Sequence, residues 1–469
     1  MMATPARAAE QRAGKGAAAA LVTVVDANVE LVDLQFSDLG GAAKALTIPA
    51  ELLSPTLAHG YRFDGSALTG GTRQVELDLY LVPDPATLVV LPPVLGEHRR
   101  ARLYCSVHRR DGQPFAGDPR SILERALDAA AEAGYDYRLG LEIEYYLLRG
   151  DPPGGTAGSD PLPGLGPAPA FRPPRDPAGY FDVGEDLIAG TRDEILATLH
   201  AMEVGVGGAH HETGPGQEEL DLLPTGGIRM ADQIMTVRQV IRSVAARRGL
   251  RATFMPKPLP DAPGSGMHLF QRLAGYPTGG DVLRGAGPGE DLSPTARRVI
   301  AGQLAHAGAM CAVVCPTVNS YKRLSAGHRA PRHARWARVG QSSLIRVPAW
   351  AADEETALEL RSPDAMANPY LAIAVALACA LDGIHRGEEP PDPLDESLVA
   401  YDDAELQRLG VPRLPATLGD ALAALTEDGV IRAALGDYVF EQLLAVKRAE
   451  WEEYRRYVSP WEHARYGDL

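Results

Sequence analysis

The stretch Tyr137-Arg-Leu-Gly-Leu-Glu-Ile-Glu-Tyr-Tyr146 reads as a β-strand carrying two carboxylates on one face. Successive side chains of a strand point to opposite faces, so Glu142 and Glu144 stand together. Leu139, Leu141, Ile143 and Tyr145 supply the bulk that favours a strand. Two like charges on an apolar strand are costly to bury unless a cation lies between them. The strand therefore asks for partners elsewhere in the chain.

Working outward, Asp118-Pro119 supplies a cap and a first-turn proline for a helix over Arg120 to Ala133. Past the strand, residues 151–177 are rich in Pro and Gly and read as a surface loop. Amphipathic helices are expected at Thr191 to Glu203 and Ala231 to Arg248. Between them, His210-His-Glu-Thr-Gly-Pro-Gly-Gln-Glu-Glu-Leu-Asp221 has the density of His and Glu expected of a ligand loop. Gly264-Ser-Gly-Met-His268 follows, its glycines marking a close backbone approach. Val318 to Leu324, a basic segment around Arg329, Ser343 to Arg346 and Leu358-Glu-Leu-Arg361 come next. Asn368-Pro369 caps an apolar helix over Leu371 to Leu381, too short to span a bilayer. The chain closes on an amphipathic helix, Val439 to Tyr457, stopped at Ser459-Pro460.

Upstream, residues Val29 to Phe36 and Val75 to Val82 alternate like strands, and Asp64-Gly65 makes a turn between them. With 469 residues, the chain is expected to form a frayed tail (1–20), a first domain (21–112) and a larger second domain (113–469). The formal net charge of -15 argues against nucleic-acid or anionic-membrane partners. Four cysteines without zinc-like spacing fit reduced thiols and a soluble, cytoplasmic protein.

The ligand types converge on Glu142, Glu144, Glu212, Glu219, His268 and Glu359. Oxygen-rich and without thiolate, this set suits Mg²⁺ or Mn²⁺. Five carboxylates would roughly balance two divalent cations, pointing to a two-metal site of the phosphoryl-transfer type. Arg323, Arg346 and Arg361 are suited to hold carboxylate or phosphate oxygens in bidentate fashion.

From about Leu31 to Leu469 the sequence resembles bacterial type I glutamine synthetases, through FDGS, LEIEYYLL, HHETGPGQEEL, FMPKP, GSGMH, VNSYKRL, SSLIRVP and LELRSPDAMANPYLA. The resemblance implies an α+β protein. It has an N-terminal β-grasp domain and a glutamine synthetase-type catalytic domain with a curved antiparallel sheet and flanking helices. It further implies a homo-oligomeric ring, usually a dodecamer, in which the Asp64 loop completes the neighbouring subunit's site. By the match, Glu144, Glu212 and Glu219 hold a first metal, and Glu142, His268 and Glu359 a second. Arg323 matches the arginine on the substrate α-carboxylate, Gly264 the glycine lining the glutamate pocket, and Arg346 and Arg361 those facing the phosphoryl group. The family uses ATP to activate a γ-carboxylate, which an amine then captures as an amide.

The departures concentrate on the ATP and ammonium side. A flap glutamate that helps deprotonate ammonium is matched by Arg329, and a loop asparagine by Pro263. Nucleotide-side positions hold Gly207, Pro224, Phe270, Arg272, Gln341, Glu354 and Ala357. The expectation is a ligase joining a carboxylate, with glutamate as candidate, to an amine other than ammonia, with ATP as co-substrate. The alternatives are an ATP-independent two-metal enzyme acting on a carboxylate, or a catalytically silent family member.

Overall fold

The β-propensity of the first hundred residues is spent on one sheet of six strands: β1 (Leu31–Ser37), β2 (Ala43–Pro49), β3 (Tyr61–Asp64), β4 (Asp78–Pro83), β5 (Val89–Val90) and β6 (Arg100–His108). Their order is β2-β1-β6-β4-β3, with β5 on β6. β1 and β6 run parallel and the other neighbours are antiparallel. Val32, Leu34, Leu81 and Leu103 form a core belonging to this domain alone. The computed structural model describes residues 5–467 apart from 69–77, 97, 150–178, 184–186, 288–290, 327–328, 341, 350–354, 396–400 and 402. The Pro/Gly-rich segment 151–177, Gln341, Glu354 and the start of the strand expected at Val75 lie outside the described residues.

The second sheet has eight strands: β7 (Tyr135–Leu148), β8 (Val206–His211), β9 (Gln217–Gly226), β10 (Arg251–Thr253), β11 (Met267–Gly275), β12 (Trp336–Ala337), β13 (Ile345–Arg346) and β14 (Leu358–Leu360). The order is β12-β13-β14-β11-β7-β9-β8, with β10 on β7. All pairs are antiparallel except β12 with β13. The strand read first in the sequence is thus an interior one, paired with β9 on one edge and with β11 and β10 on the other. Its apolar side meets helices Leu187–Ala201 and Gly227–Arg247 in the main core. This is an α+β arrangement: a small sheet domain joined to a larger one whose mostly antiparallel sheet is flanked by helices.

Helix Pro119–Glu132 starts where the sequence placed it, with the Asp118 carboxylate accepting from the amides of Arg120 and Ser121. The apolar helix Pro369–Arg386 is long and apolar enough to cross a membrane, but 67% of that window is buried within the protein. It crosses helix Pro294–Ala305 at backbone contact. A Cβ on Gly302 would fall 2.1 Å from the Cys379 carbonyl, and one on Gly383 2.1 Å from the Arg298 carbonyl.

The N-terminal tail needs correction. Where a frayed segment over 1–20 was expected, the chain is helical from Pro5 to Asp26, with Ala20 and Val24 buried. Alanine has the highest helix propensity, and Val24 gives this end an apolar contact with the first domain's core. Ser459-Pro460 ends one helix, Asp437–Arg456, and also caps a short further one, Pro460–Tyr466.

Two buried polar joints tie the domains together. Arg120 donates to both Asp232 oxygens (3.3 and 3.2 Å), to Asp84 (2.8 Å) and to Ser106 (3.1 Å), spanning the first sheet and the catalytic helices. Asn368 caps its helix through the Tyr370 amide (3.0 Å) while its side-chain amide donates to the carbonyls of Asp38 (3.0 Å) and Leu39 (3.3 Å). Asn368→Ala removes a cap and takes its donor from the Leu39 carbonyl, while the Asp38 carbonyl keeps those of Gly41 and Ser37, an expected loss of about 1–2 kcal/mol. Calorimetric melting would show this as a lowered transition, and an unchanged one would remove Asn368 from the joint.

Candidate active site

The register of β7 against β9 builds the site. Tyr146 pairs with Gln217, Glu144 with Glu219 and Glu142 with Asp221. Period-two alternation sends Glu142, Glu144, Gln217, Glu219 and Asp221 to one face. β11 adds His268 directly beside Glu142, with His268 Nδ1 2.9 Å from Glu142 Oε2 and 3.5 Å from Glu359 Oε1. Glu359, on β14, is fully buried and held by the guanidinium groups of Arg346 and Arg361. Glu142, Glu144, Gln217, Glu219, His268, Arg346 and Arg361 line a cavity of about 530 Å³, also walled by Glu212, Gly264, Arg323 and Arg329, with Asp221 and Glu359 just behind its wall.

Two overlapping trios bring their donor atoms within 4.8 Å of one another: Glu142, His268 and Glu359, and Glu142, Glu219 and Asp221. The first matches the set expected for the second metal. The other expected set, Glu144, Glu212 and Glu219, lies around the same cavity without forming such a trio. Glu144 Oε2 accepts from the Gly266 amide (3.0 Å) and from Gln217 (3.2 Å). Glu212 accepts from its neighbour Thr213 through both amide and hydroxyl.

Burial pushes the Glu144 carboxyl up to about 7, against the favourable pull of Arg323. It also raises Glu142, and with Glu142 and Glu144 as neighbours it raises Glu219. Burial and the charge of Arg361 hold His268 well below the usual histidine range, so its imidazole is neutral and ready to act as a ligand. Carboxyl groups that desolvation makes reluctant to ionise, set around a neutral imidazole and without thiolate, fit hard divalent cations. Glu142, His268 and Glu359 are the residues best gathered to hold one.

Arg323 is buried in the cavity wall, where it donates to the carbonyls of Arg361 (3.0 Å), Ser362 (2.8 Å) and Pro363 (3.3 Å). Arg329 stands exposed at the rim, with Nη1 3.0 Å from Thr213 Oγ1 and 3.9 Å from Glu212 Oε2. Of the basic segment, Arg335 is buried instead, bonded to Ser342 (2.9 Å). Asp64 is at the end of β3, where it accepts from the Ser66 amide (3.0 Å), and is not among the described residues lining this cavity. Pro263 lies in the wall with its carbonyl accepting from Tyr146 (2.7 Å). Arg272 and Arg138 both approach Glu355, at 3.9 and 3.3 Å.

Sequence reasoning passed over Gln217, Asp221, Tyr180, Lys257 and Asp261. Gln217 is the hub of the wall: it donates to Glu144 and to the Gly264 carbonyl (3.0 Å), and accepts from Tyr146 (3.1 Å) and the Gly214 amide (3.0 Å). Alternation along Gln217-Glu-Glu-Leu-Asp221 carried the signal for both Gln217 and Asp221. Tyr180, Lys257 and Asp261 come from loops, where no period marks a face.

The pH dependence follows in sign. A Glu144 carboxyl raised from 4.5 to about 7 binds its proton more tightly folded than unfolded, so its contribution to stability is lost as pH rises across that window. A bound cation takes the proton's place. The thermal stabilisation produced by saturating Mn²⁺ should therefore be larger at pH 8 than at pH 5.5. An equal or smaller gain at pH 8 would contradict the assignment.

Residues 28–110 match the family described as glutamine synthetase, beta-Grasp domain, and 116–466 that described as glutamine synthetase, catalytic domain. A glutamine synthetase of Halobacterium salinarum is 40% identical over 440 residues, covering 93% of each chain. One from Thermus thermophilus is 38% identical over 444 residues, covering 94% of this chain and 96% of its own. Among solved structures, a GmaS/ADP complex superposes with a TM-score of 0.82 at 30% identity, over 96% of this chain and 99% of that one. Apo GmaS gives 0.80 at 31%, with the same coverage. The matches to both domain families, nearly end to end, establish that the chain is a ligase-fold member of the glutamine synthetase family.

Proposed function

We propose that this chain is an ATP-dependent amide ligase that activates a small carboxylate, with the γ-carboxylate of glutamate as candidate, and transfers it to an amine other than ammonia. The observation that carries the amine side is Arg329 at the cavity rim, 3.9 Å from Glu212. The resemblance puts a glutamate at this position, where it would attract ammonium. A guanidinium repels ammonium and favours a partner bearing an anionic group. ATP use is supported by family membership and by the likeness to a protein solved with ADP.

In the family reaction the carboxylate oxygen attacks the γ-phosphorus and ADP departs. The amine nitrogen then attacks the acyl carbon, the C–O bond to phosphate breaks, and the nitrogen loses a proton. Arg346 and Arg361 bind and orient the phosphoryl oxygens in this reading. Both are preorganised by Glu359, so little reorganisation accompanies the reaction. Arg323, clamped to the 361–363 carbonyls, steadies the wall beside Gly264 and faces the substrate's carboxylate. Gln217 fixes Glu144 and the Gly264 carbonyl relative to one another. Divalent cations held by Glu142, Glu144, Glu212, Glu219, His268 and Glu359 would offset the charge of the meeting carboxylate and phosphoryl groups. Asp64 receives the incoming amine from an adjacent subunit if the chain forms the ring its family implies.

A second reading, an ATP-independent enzyme acting on a carboxylate, is favoured by one observation: Arg138 and Arg272 converge on Glu355 on the side that the resemblance gives to the nucleotide. Calorimetry distinguishes the two. Micromolar ATP binding with Mg²⁺ or Mn²⁺ is expected, and no heat with either metal would leave the second reading standing. For the amine side, Arg329→Glu should lower kcat/KM for an anionic amine by about tenfold or more, the scale of one charge-assisted contact, with metal affinity unchanged. Equal losses in both quantities would remove the specificity role.

A further inference from the structure

A second cavity lies away from the carboxylate site, between the edge of the N-terminal sheet and helix Gly227–Arg247. It measures about 390 Å³ and is lined by β1, the β1–β2 turn, β2 and one face of that helix. Three cations reach it: Lys44 from β2, and Arg238 and Arg242 one helical turn apart. Gln35, Gln239 and Ser243 add neutral polar groups, while Ala42, Ala43 and Ala45 keep the sheet side open. Among the described lining residues there is no carboxylate. In a chain of net charge -15, such a grouping of cations is not a sampling of the average surface.

Arg238 is the telling member. It is only 5% exposed, yet among the described residues it donates to a neutral carbonyl, Ala367 (2.9 Å), and to the Met267 sulfur (3.5 Å). Its Nε is buried without a hydrogen-bond partner among the described residues. Burial, with Arg242 as neighbour and Asp364 opposing, pushes its guanidinium down to about 9. A buried charge of this kind calls for a counter-charge. Arg242, exposed at the rim, lies 5.0 Å from the ring of Phe254 and has no carboxylate within ion-pair distance among the described residues. Lys44 is 3.2 Å from Asp38, which takes part of its charge.

We propose that this groove is a binding site for a small oxyanion, a phosphate- or carboxylate-bearing molecule, seated between Lys44, Arg238 and Arg242 at the joint of the two domains. The guanidinium fork of Arg242 and the ammonium of Lys44 supply the outer contacts and Arg238 the inner charge. Arg238 also touches Met267, the residue before His268, so the occupant sits two side chains from the carboxylate site.

The test is calorimetric titration of the metal-free, full-length protein with inorganic phosphate and, separately, malonate, at constant ionic strength set by chloride. Saturable binding of at least one anion is expected. It should be weakened about tenfold or more in the Lys44→Ala/Arg242→Ala double variant and unchanged in Arg329→Ala, which alters the other cavity. Both substituted side chains are solvent-accessible, and a melting temperature matching the parent's would confirm that the double variant folds. Binding of phosphate alone assigns a phosphate-bearing occupant and binding of malonate alone a carboxylate. No binding of either beyond chloride, an affinity unchanged in the double variant, or a loss confined to Arg329→Ala would overturn the site.

Discussion

Two like-charged pairs sit directly across a ladder of hydrogen bonds, Glu142 facing Asp221 and Glu144 facing Glu219. Opposed carboxylates destabilise a sheet, and here they do so on a face that is largely withdrawn from water. The surrounding positions answer that repulsion. Arg346 and Arg361 neutralise Glu359 from one side, Arg323 lowers the cost of Glu144, and amide donors from Gly266 and Gln217 converge on Glu144 Oε2. The apolar side of the same strands supplies the compensating burial through Leu141, Ile143 and Leu220. The central sheet is thus stable on one side and electrostatically loaded on the other, an arrangement suited to taking up cations and anionic substrates together.

The Arg120 network at the joint between the domains obeys the opposite logic, since its charges are satisfied internally. Arg120 is shared by Asp232, Asp84 and Glu124, and Tyr370 donates to Asp232 (2.7 Å). Such a network is strong only when complete, because losing one member leaves a buried charge without its partner. The first domain is therefore held at a defined angle by directional bonds as well as by apolar contact.

Much of this was legible in the sequence because it rests on short-range rules. The Glu142/Glu144 strand, the Asp118 and Asn368 caps and the His-Glu segment are local patterns, and each marks an element found in the structure. The glutamine synthetase family likewise followed from ordered motifs. The N-terminal helix was missed because low hydrophobicity was weighed above alanine's helix propensity. Asp221 shares Glu219's face by strand period, but residue type alone does not separate it from a solvated carboxylate. Tyr180, Asp261 and the role of Arg120 depend on contacts between segments far apart in the chain, which no local rule encodes.

The crossing of Gly302 with Gly383 makes the core helix a lever. Its C-terminal half is pinned backbone to backbone against helix Pro294–Ala305, and its N-terminal cap, Asn368, grips the carbonyls of the first domain. A single methyl at either glycine would force the helices apart and displace that cap along with its helix. The spacing of two buried helices, set by hydrogen atoms in place of side chains, thereby governs how the two domains meet.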